Sequence, residues 1–104
     1  MAWTYLFLAG LFEIGWAIGL KYTEGFSRPV PSILTALSMV ISVVLLGIAM
    51  RSLPLGTSYA IWTGIGTVGT VILGIFLFAE PATAVRLGCI ALIVAGIAGL
   101  KMTA

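Results

Sequence analysis

Four long apolar runs, separated by short segments rich in charged residues and prolines, make up almost the whole chain. The runs cover about residues 3–20, 30–50, 57–78 and 84–100. Each is close to the roughly 20 residues that a helix needs to cross a hydrocarbon core about 30 Å thick. The links are too short to hold a soluble domain. The sequence therefore predicts an all-α membrane protein, with four transmembrane helices per subunit in a single domain.

The scarcity of polar side chains excludes several classes of function. Of 104 residues, 62% are hydrophobic and 8% are charged, which is too little polar surface to solvate a compact soluble domain. The five Lys and Arg form no basic run, so no nucleic-acid partner is expected. With no His and a lone Cys89, no metal site or intrachain disulfide is expected. No nucleophile–base pair is evident, so we predict that the chain is not an enzyme.

Glu13 is the one charged residue inside the first apolar run. At 1.5 Å per residue, a helix beginning near Trp3 places this carboxylate roughly 15 Å deep, close to the middle of the hydrocarbon core. An acidic residue there costs roughly 2.5 to 3.5 kcal/mol on insertion scales. Such a residue therefore predicts a functional site and needs a partner or a proton.

Helical spacing predicts which residues surround Glu13. Gly10, Glu13 and Trp16 recur on one face of the first helix, so Gly10 is expected to leave space above the carboxylate and Trp16 to form a wall below it. One face of the third helix carries aromatic, hydroxyl and small residues: Tyr59, Trp62, Thr63, Gly66 and Thr70. The alternative for Trp16 and Trp62 is ordinary packing in the core or against lipid.

Ser42 lies in the second run at a depth comparable to that of Glu13, and we predict that it holds the carboxylate. The alternative is that Ser38 and Ser42 bond back to carbonyls of their own helix. Gly64 and Gly66 weaken the third helix in one place, which predicts a hinge suited to a rocking transporter. The alternative for these glycines is close packing.

Charges are almost evenly divided between the two ends of the predicted bundle. The end with the N-terminus receives Arg51 and Lys101, and the opposite end receives Lys21, Arg28 and Arg86. This weak bias does not select one orientation under the positive-inside rule. It predicts an antiparallel, dual-topology homodimer, which has the inverted symmetry of alternating-access transporters. The alternative is that another property, such as hydrophobic length, selects one orientation.

The fourth run provides a surface for dimerisation. Small residues spaced along it, with one leucine, let helix backbones approach closely within a membrane: Gly88, Ala91, Leu92, Ala95, Gly96 and Gly99. A dimer would also provide room for a water-filled cavity shared by two Glu13 side chains. The alternative is that these residues pack within one subunit.

Four segments in this order resemble the small multidrug resistance family along the whole chain. They are Gly-x-x-Glu-x-x-Trp at residues 10–16, Lys-Tyr-Thr-Glu-Gly-Phe at residues 21–26, the run at residues 53–66 and Phe-Ala-Glu-Pro at residues 78–81. Within the family, Trp16, Ser42 and the Ala-Ile-Trp-Thr-Gly-Ile-Gly sequence that ends this run are similar to the guanidinium exporter subtype.

The resemblance implies a proton-coupled antiporter that exports guanidinium and related small guanidinyl cations. It also implies an antiparallel homodimer in the bacterial inner membrane that is driven by the proton gradient and uses no cofactor. By the same resemblance, Glu13 binds substrate and protons in turn, Trp16, Ser42 and Trp62 orient it, and Tyr59 lines the pocket. Further residues are expected at the pocket or at a lateral portal: Gly10, Met39, Val43 and Thr63.

The chemistry of this site fits a planar cation but leaves alternatives. Guanidinium matches a carboxylate through parallel charge-assisted hydrogen bonds. Trp16 and Trp62 add cation–π contacts of about 0.5 to 2 kcal/mol. Aromatic walls also suit quaternary ammonium and other drug-like cations, so a broader cation exporter is one alternative. A dual-topology ion channel and a membrane assembly subunit are the others.

Overall fold

The computed structural model describes residues 1–103, which form four helices joined by short links. The helices are α1 (Ala2–Tyr22), α2 (Pro29–Ala49), α3 (Leu55–Phe78) and α4 (Ala84–Thr103). All four are long and apolar enough to cross a membrane. The prediction of four membrane-spanning helices is therefore confirmed. Each helix ends within one turn of the end of its apolar run.

Local hydrogen bonds explain the turn between α1 and α2. The Thr23 hydroxyl donates to the Leu20 carbonyl oxygen at 2.7 Å and accepts a bond from the Phe26 backbone N–H at 3.2 Å. Gly25 adopts φ +72°, a conformation that suits glycine best. The helix α2 then begins at Pro29, where proline is tolerated because the first N–H groups of a helix have no partner within it.

Helix α1 is the centre of the subunit. It packs along both α2 and α3, whereas α2 and α3 touch each other only slightly. The buried apolar core lies towards the N-terminal end of α1 and contains Leu6, Ala9, Leu46, Ala49 and Ile61. Close approach of α1 to α3 depends on glycine, because a Cβ atom at Gly10 would lie 2.6 Å from Cγ2 of Ile65.

Cationic side chains at the two ends of the bundle lie over aromatic rings. The Lys101 Nζ atom is 5.1 Å from the ring centroid of Trp3, and the Lys21 Nζ atom is 4.9 Å from that of Phe78. Lys101 therefore lies at the same end of the bundle as the N-terminus of α1. Lys21 lies at the opposite end, beside the C-terminus of α3. This arrangement agrees with the predicted grouping of charges.

Helix α4 has α3 as its one close neighbour among the described helices. Its small residues point away from that contact: a Cβ atom added at Gly88, Gly96 or Gly99 would meet nothing within 4 Å. Ala91, Leu92 and Ala95 are exposed as well. Packing within one subunit therefore does not account for this surface, which we call the small-residue face of α4. Its pairing with a second copy stays a prediction.

Candidate functional site

The Glu13 carboxylate lies against Gly66 at the interface of α1 and α3. Only 9% of Glu13 is exposed, and a Cβ atom added at Gly66 would collide with its carboxylate and lie 2.6 Å from its Cγ atom. Glycine at position 66 is therefore what allows the carboxylate to occupy this position. No described residue forms a hydrogen bond with the buried Oε2 atom. The carboxylate is thus buried against α3 with its Oε2 atom unpartnered among the described residues.

A cleft of about 250 Å³ opens beside the carboxylate. Glu13, Gly66 and Thr67 form one part of its wall, and Ala17, Thr70 and Val71 continue it one turn further along α1 and α3. The Thr70 Oγ1 atom is also buried without a hydrogen bond to any described residue. Two of the residues that line this cleft therefore each carry a buried oxygen atom without a hydrogen-bond partner among the described residues.

Ser42 connects the three helices that surround the site. Its hydroxyl donates to the Ala9 carbonyl oxygen of α1 at 2.6 Å and accepts a bond from the Trp62 Nε1–H of α3 at 2.9 Å. Trp62 in turn packs against Tyr59, with ring centroids 5.5 Å apart and planes inclined by 52°. Ser42 therefore fixes the indole ring of Trp62, and through it the aromatic pair.

The structure brings part of the predicted site together and leaves other contacts as predictions. Ser42 and Ser38 bond to carbonyl oxygens of α1, at Ala9 and Phe12, and not to their own helix. The proposed hydrogen bond from Ser42 to Glu13 does not form in this conformation, so that role stays a prediction. Trp16 is half-buried, and its Nε1–H makes no hydrogen bond to a described residue.

Removing the Ser42 hydroxyl should destabilise the fold. In Ser42→Ala, the indole N–H of Trp62 loses its acceptor within a partly buried environment, and we expect the free energy of unfolding to fall by about 1 to 3 kcal/mol. The matched variant Ser38→Ala removes one hydrogen bond to the Phe12 carbonyl oxygen and should cost about 1 kcal/mol or less. Denaturant unfolding in detergent, followed by circular dichroism, measures both. Equal losses in the two variants would contradict the central position of Ser42.

The predicted pocket and portal residues lie in different surroundings. Ile65 fills the space over Gly10, so the expected space above the carboxylate is occupied at this position. Met39 is half-buried on α2, whereas Val43 on α2 and Thr63 on α3 are exposed. Their participation in a pocket or a lateral portal stays a prediction.

Gly64 and Gly66 lie within an unbroken helix. A Cβ atom at Gly64 would lie 2.7 Å from Cδ1 of Ile97 on α4, and one at Gly66 would meet Glu13. Close packing, which was the alternative to a hinge, therefore accounts for both glycines. A hinge at this position stays a prediction.

Some groups at the site were not singled out from the sequence. They are the Ala9 backbone carbonyl, which anchors Ser42, and Thr67 and Val71, which line the cleft beside Glu13. A carbonyl acceptor leaves no mark in a sequence, and a valine in an apolar helix does not stand out. Within residues 1–103, no three His, Cys, Asp or Glu side chains lie together in a way that could hold a metal ion.

Comparisons with known proteins agree with this architecture. A family model described as Small Multidrug Resistance protein matches residues 1–93. A protein named "Guanidinium exporter" from Salmonella typhimurium is 60% identical over 104 residues, which is 100% of this chain and 99% of the relative. The protein of that name from Escherichia coli K12 is 56% identical over 99% of this chain and 98% of its own length. The one from Yersinia pseudotuberculosis is 60% identical over 98% of both. The chain therefore belongs to the small multidrug resistance family and is a multi-pass protein of the bacterial inner membrane.

Proposed function

We propose that this chain is a proton-coupled antiporter that exports guanidinium and related small guanidinyl cations. The observation that carries this proposal is the Glu13 carboxylate, which is buried beside a cleft and has no hydrogen bond to its Oε2 atom from a described residue. Relatives that match almost the whole chain at 56–60% identity carry the name guanidinium exporter. The activity is transport across the membrane and not chemical conversion.

Coupling follows from competition at one carboxylate. An apolar span disfavours an empty charged carboxylate, so Glu13 binds either a proton or a cation. A guanidinium ion that enters the cleft displaces the proton, and a proton that returns displaces the guanidinium ion. Exchange then requires no separate proton pathway and no cofactor, because the proton gradient drives it.

The groups around Glu13 suit a small planar cation. Its carboxylate can accept two parallel N–H···O bonds from one edge of a guanidinium ion. Tyr59 and Trp62 form an aromatic pair one to two turns before Gly66 on α3, and aromatic faces attract cations. This pair also favours a second candidate, an exporter of quaternary ammonium and other lipophilic cations, because Tyr59 is 56% exposed and offers a broad aromatic surface.

We also propose that the transporter is an antiparallel homodimer. The small-residue face of α4 is open in the single subunit and provides the close helix approach on which membrane dimers depend. A second inverted copy would bring another Glu13 to a shared cavity and provide openings to both sides of the membrane. The near balance of charge between the two ends of the bundle supports insertion in both orientations.

A bulky side chain on the small-residue face should weaken the dimer without disturbing the subunit. Gly96→Leu adds its side chain into open space in the single chain, so the fold should be retained while helix approach between copies is blocked. Gly47→Leu is the matched control, because Gly47 on α2 also has nothing within 4 Å of an added Cβ. Single-molecule photobleaching in liposomes should show mainly monomers for Gly96→Leu and dimers for Gly47→Leu. Dimers in both variants would argue against this face as the interface.

Transport by the purified chain in proteoliposomes tests the function. With an acidic interior and no guanidinium gradient, protons leave the vesicle, and we expect guanidinium to accumulate inside. A protonophore should abolish this accumulation. The same vesicles, supplied with tetraethylammonium, test the second candidate.

Each alternative predicts a different result in this assay. A channel would equilibrate guanidinium but would not concentrate it against its own gradient. A membrane assembly subunit would be inactive when reconstituted alone. Accumulation of tetraethylammonium at rates similar to those of guanidinium would favour the broader cation exporter.

A further inference from the structure

Two oxygen atoms on the cleft beside Glu13 lack a partner. The Glu13 Oε2 atom and the Thr70 Oγ1 atom are both buried, and neither forms a hydrogen bond with a described residue. Both side chains line the same cleft of about 250 Å³. Because buried polar groups in proteins almost always have hydrogen-bond partners, a ligand that enters the cleft can supply donors that the described residues do not.

The Thr70 hydroxyl differs from the hydroxyl of its neighbour one turn away on the same helix. Thr67 donates to the carbonyl oxygen of Thr63 in its own helix at 2.7 Å, which is the usual arrangement of a threonine in a membrane helix. The Thr70 hydroxyl forms no such bond. Among the described residues, the Thr70 hydroxyl is therefore unpartnered both as a donor and as an acceptor.

The two side chains lie about one helical turn apart along α3. The Glu13 carboxylate lies against Gly66, and Thr70 follows Gly66 by four residues, which is about 6 Å along the axis of α3. Guanidinium carries N–H donors on every edge, so the edge away from Glu13 also requires an acceptor.

We propose that Thr70 is a further substrate-binding residue, whose hydroxyl oxygen accepts a hydrogen bond from the edge of the guanidinium ion that faces away from Glu13. This assignment rests on the proposed function. It makes the cleft a two-acceptor site in which the carboxylate supplies the charge and the threonine supplies a neutral acceptor. A hydrogen bond from guanidinium to Thr70 stabilises the bound substrate and not the protonated carboxylate, so the hydroxyl favours the substrate in the competition between the two.

Guanidinium uptake by the full chain in proteoliposomes tests the assignment through four variants. Thr70→Val and Thr70→Ala should each raise KM for guanidinium about fivefold with little change in kcat, because one hydrogen bond is lost. Thr70→Ser keeps the hydroxyl and should retain the wild-type KM. Thr67→Val is the matched control, because Thr67 lines the same cleft but its hydroxyl is bonded to its own helix, and this variant should also retain the wild-type KM. The pH dependence of KM should keep its wild-type form, because threonine does not titrate.

The possible outcomes separate this assignment from a structural effect. An unchanged KM in Thr70→Val and Thr70→Ala, or an equal increase in Thr67→Val, would overturn it. A shifted pH profile in the Thr70 variants would overturn it too, since that result would mean that Glu13 itself had been disturbed. If Thr70→Val does not fold, Thr70→Ala carries the comparison with Thr70→Ser. Absence of saturable guanidinium uptake in the wild type would reject the proposed function itself.

Discussion

Replacing Glu13 by glutamine should abolish the exchange of guanidinium for protons. The amide has nearly the same shape as the carboxylate, but it neither binds a proton at neutral pH nor pairs with a cation. Loss of two charge-assisted hydrogen bonds should weaken guanidinium binding by roughly 100-fold or more. Accumulation driven by an acidic interior should fall to the level of vesicles without protein.

The fold should survive this change, because a neutral amide is easier to place in a membrane span than a carboxylate. Circular dichroism and size-exclusion chromatography in detergent check that it does. Glu24→Gln is the matched control, since Glu24 lies exposed in the loop between α1 and α2 and the substitution is chemically the same. Retention of proton-driven guanidinium accumulation in Glu13→Gln would disprove the coupling mechanism.

Replacing Gly66 by alanine should reduce transport nearly as strongly, although the added group is one methyl. That methyl would occupy the space now held by the Glu13 carboxylate, so the carboxylate must move. A displacement of about 1 Å in a binding group commonly lowers activity by a factor of roughly 10 to 100. Alanine also favours the helical conformation more than glycine, so α3 itself should not be weakened.

Gly69→Ala provides the control, because it adds the same methyl to the same interface between α1 and α3. That methyl would meet the side chain of Ile14 and not the carboxylate. We expect Gly69→Ala to lose some stability by overpacking while it retains most of its guanidinium uptake. Uptake and denaturant unfolding, measured on both variants, separate displacement of Glu13 from general crowding. Equal losses of uptake would show that the position of the carboxylate against Gly66 has no special importance.

The four spans were predictable because hydropathy, proline and charge act locally along a chain. Prolines and charged residues occur together at the links, and Pro29 marks the start of α2. The depth of Glu13 could also be counted from the helix rise alone. These properties depend on one segment at a time.

The partners across helices were harder to predict because they depend on how each helix is rotated. A helix in a membrane is apolar on most sides, so its hydropathy does not reveal which face is buried. Ser42 was expected to contact Glu13, but its hydrogen bonds are with Ala9 and Trp62. Gly10 was expected to leave space, but Ile65 fills it. Polar and small residues in the sequence indicated which helices surround the site, but not which residues on those helices contact each other.

The bonds of Ser42 also determine which parts of the subunit can slide. The Ser42 hydroxyl belongs to α2 and bonds to both α1 and α3. Separating α3 from the other two helices would therefore leave the Trp62 N–H without an acceptor. That would cost about 1 to 3 kcal/mol in a partly buried environment. Helix α4 packs closely along α3 alone and reaches α1 through Lys101, which lies over the Trp3 ring, but no hydrogen bond among the described residues fixes α4 to α1 or α2. We therefore expect the first three helices to move as one rigid body during transport, with shear confined to α4 and the surfaces between subunits.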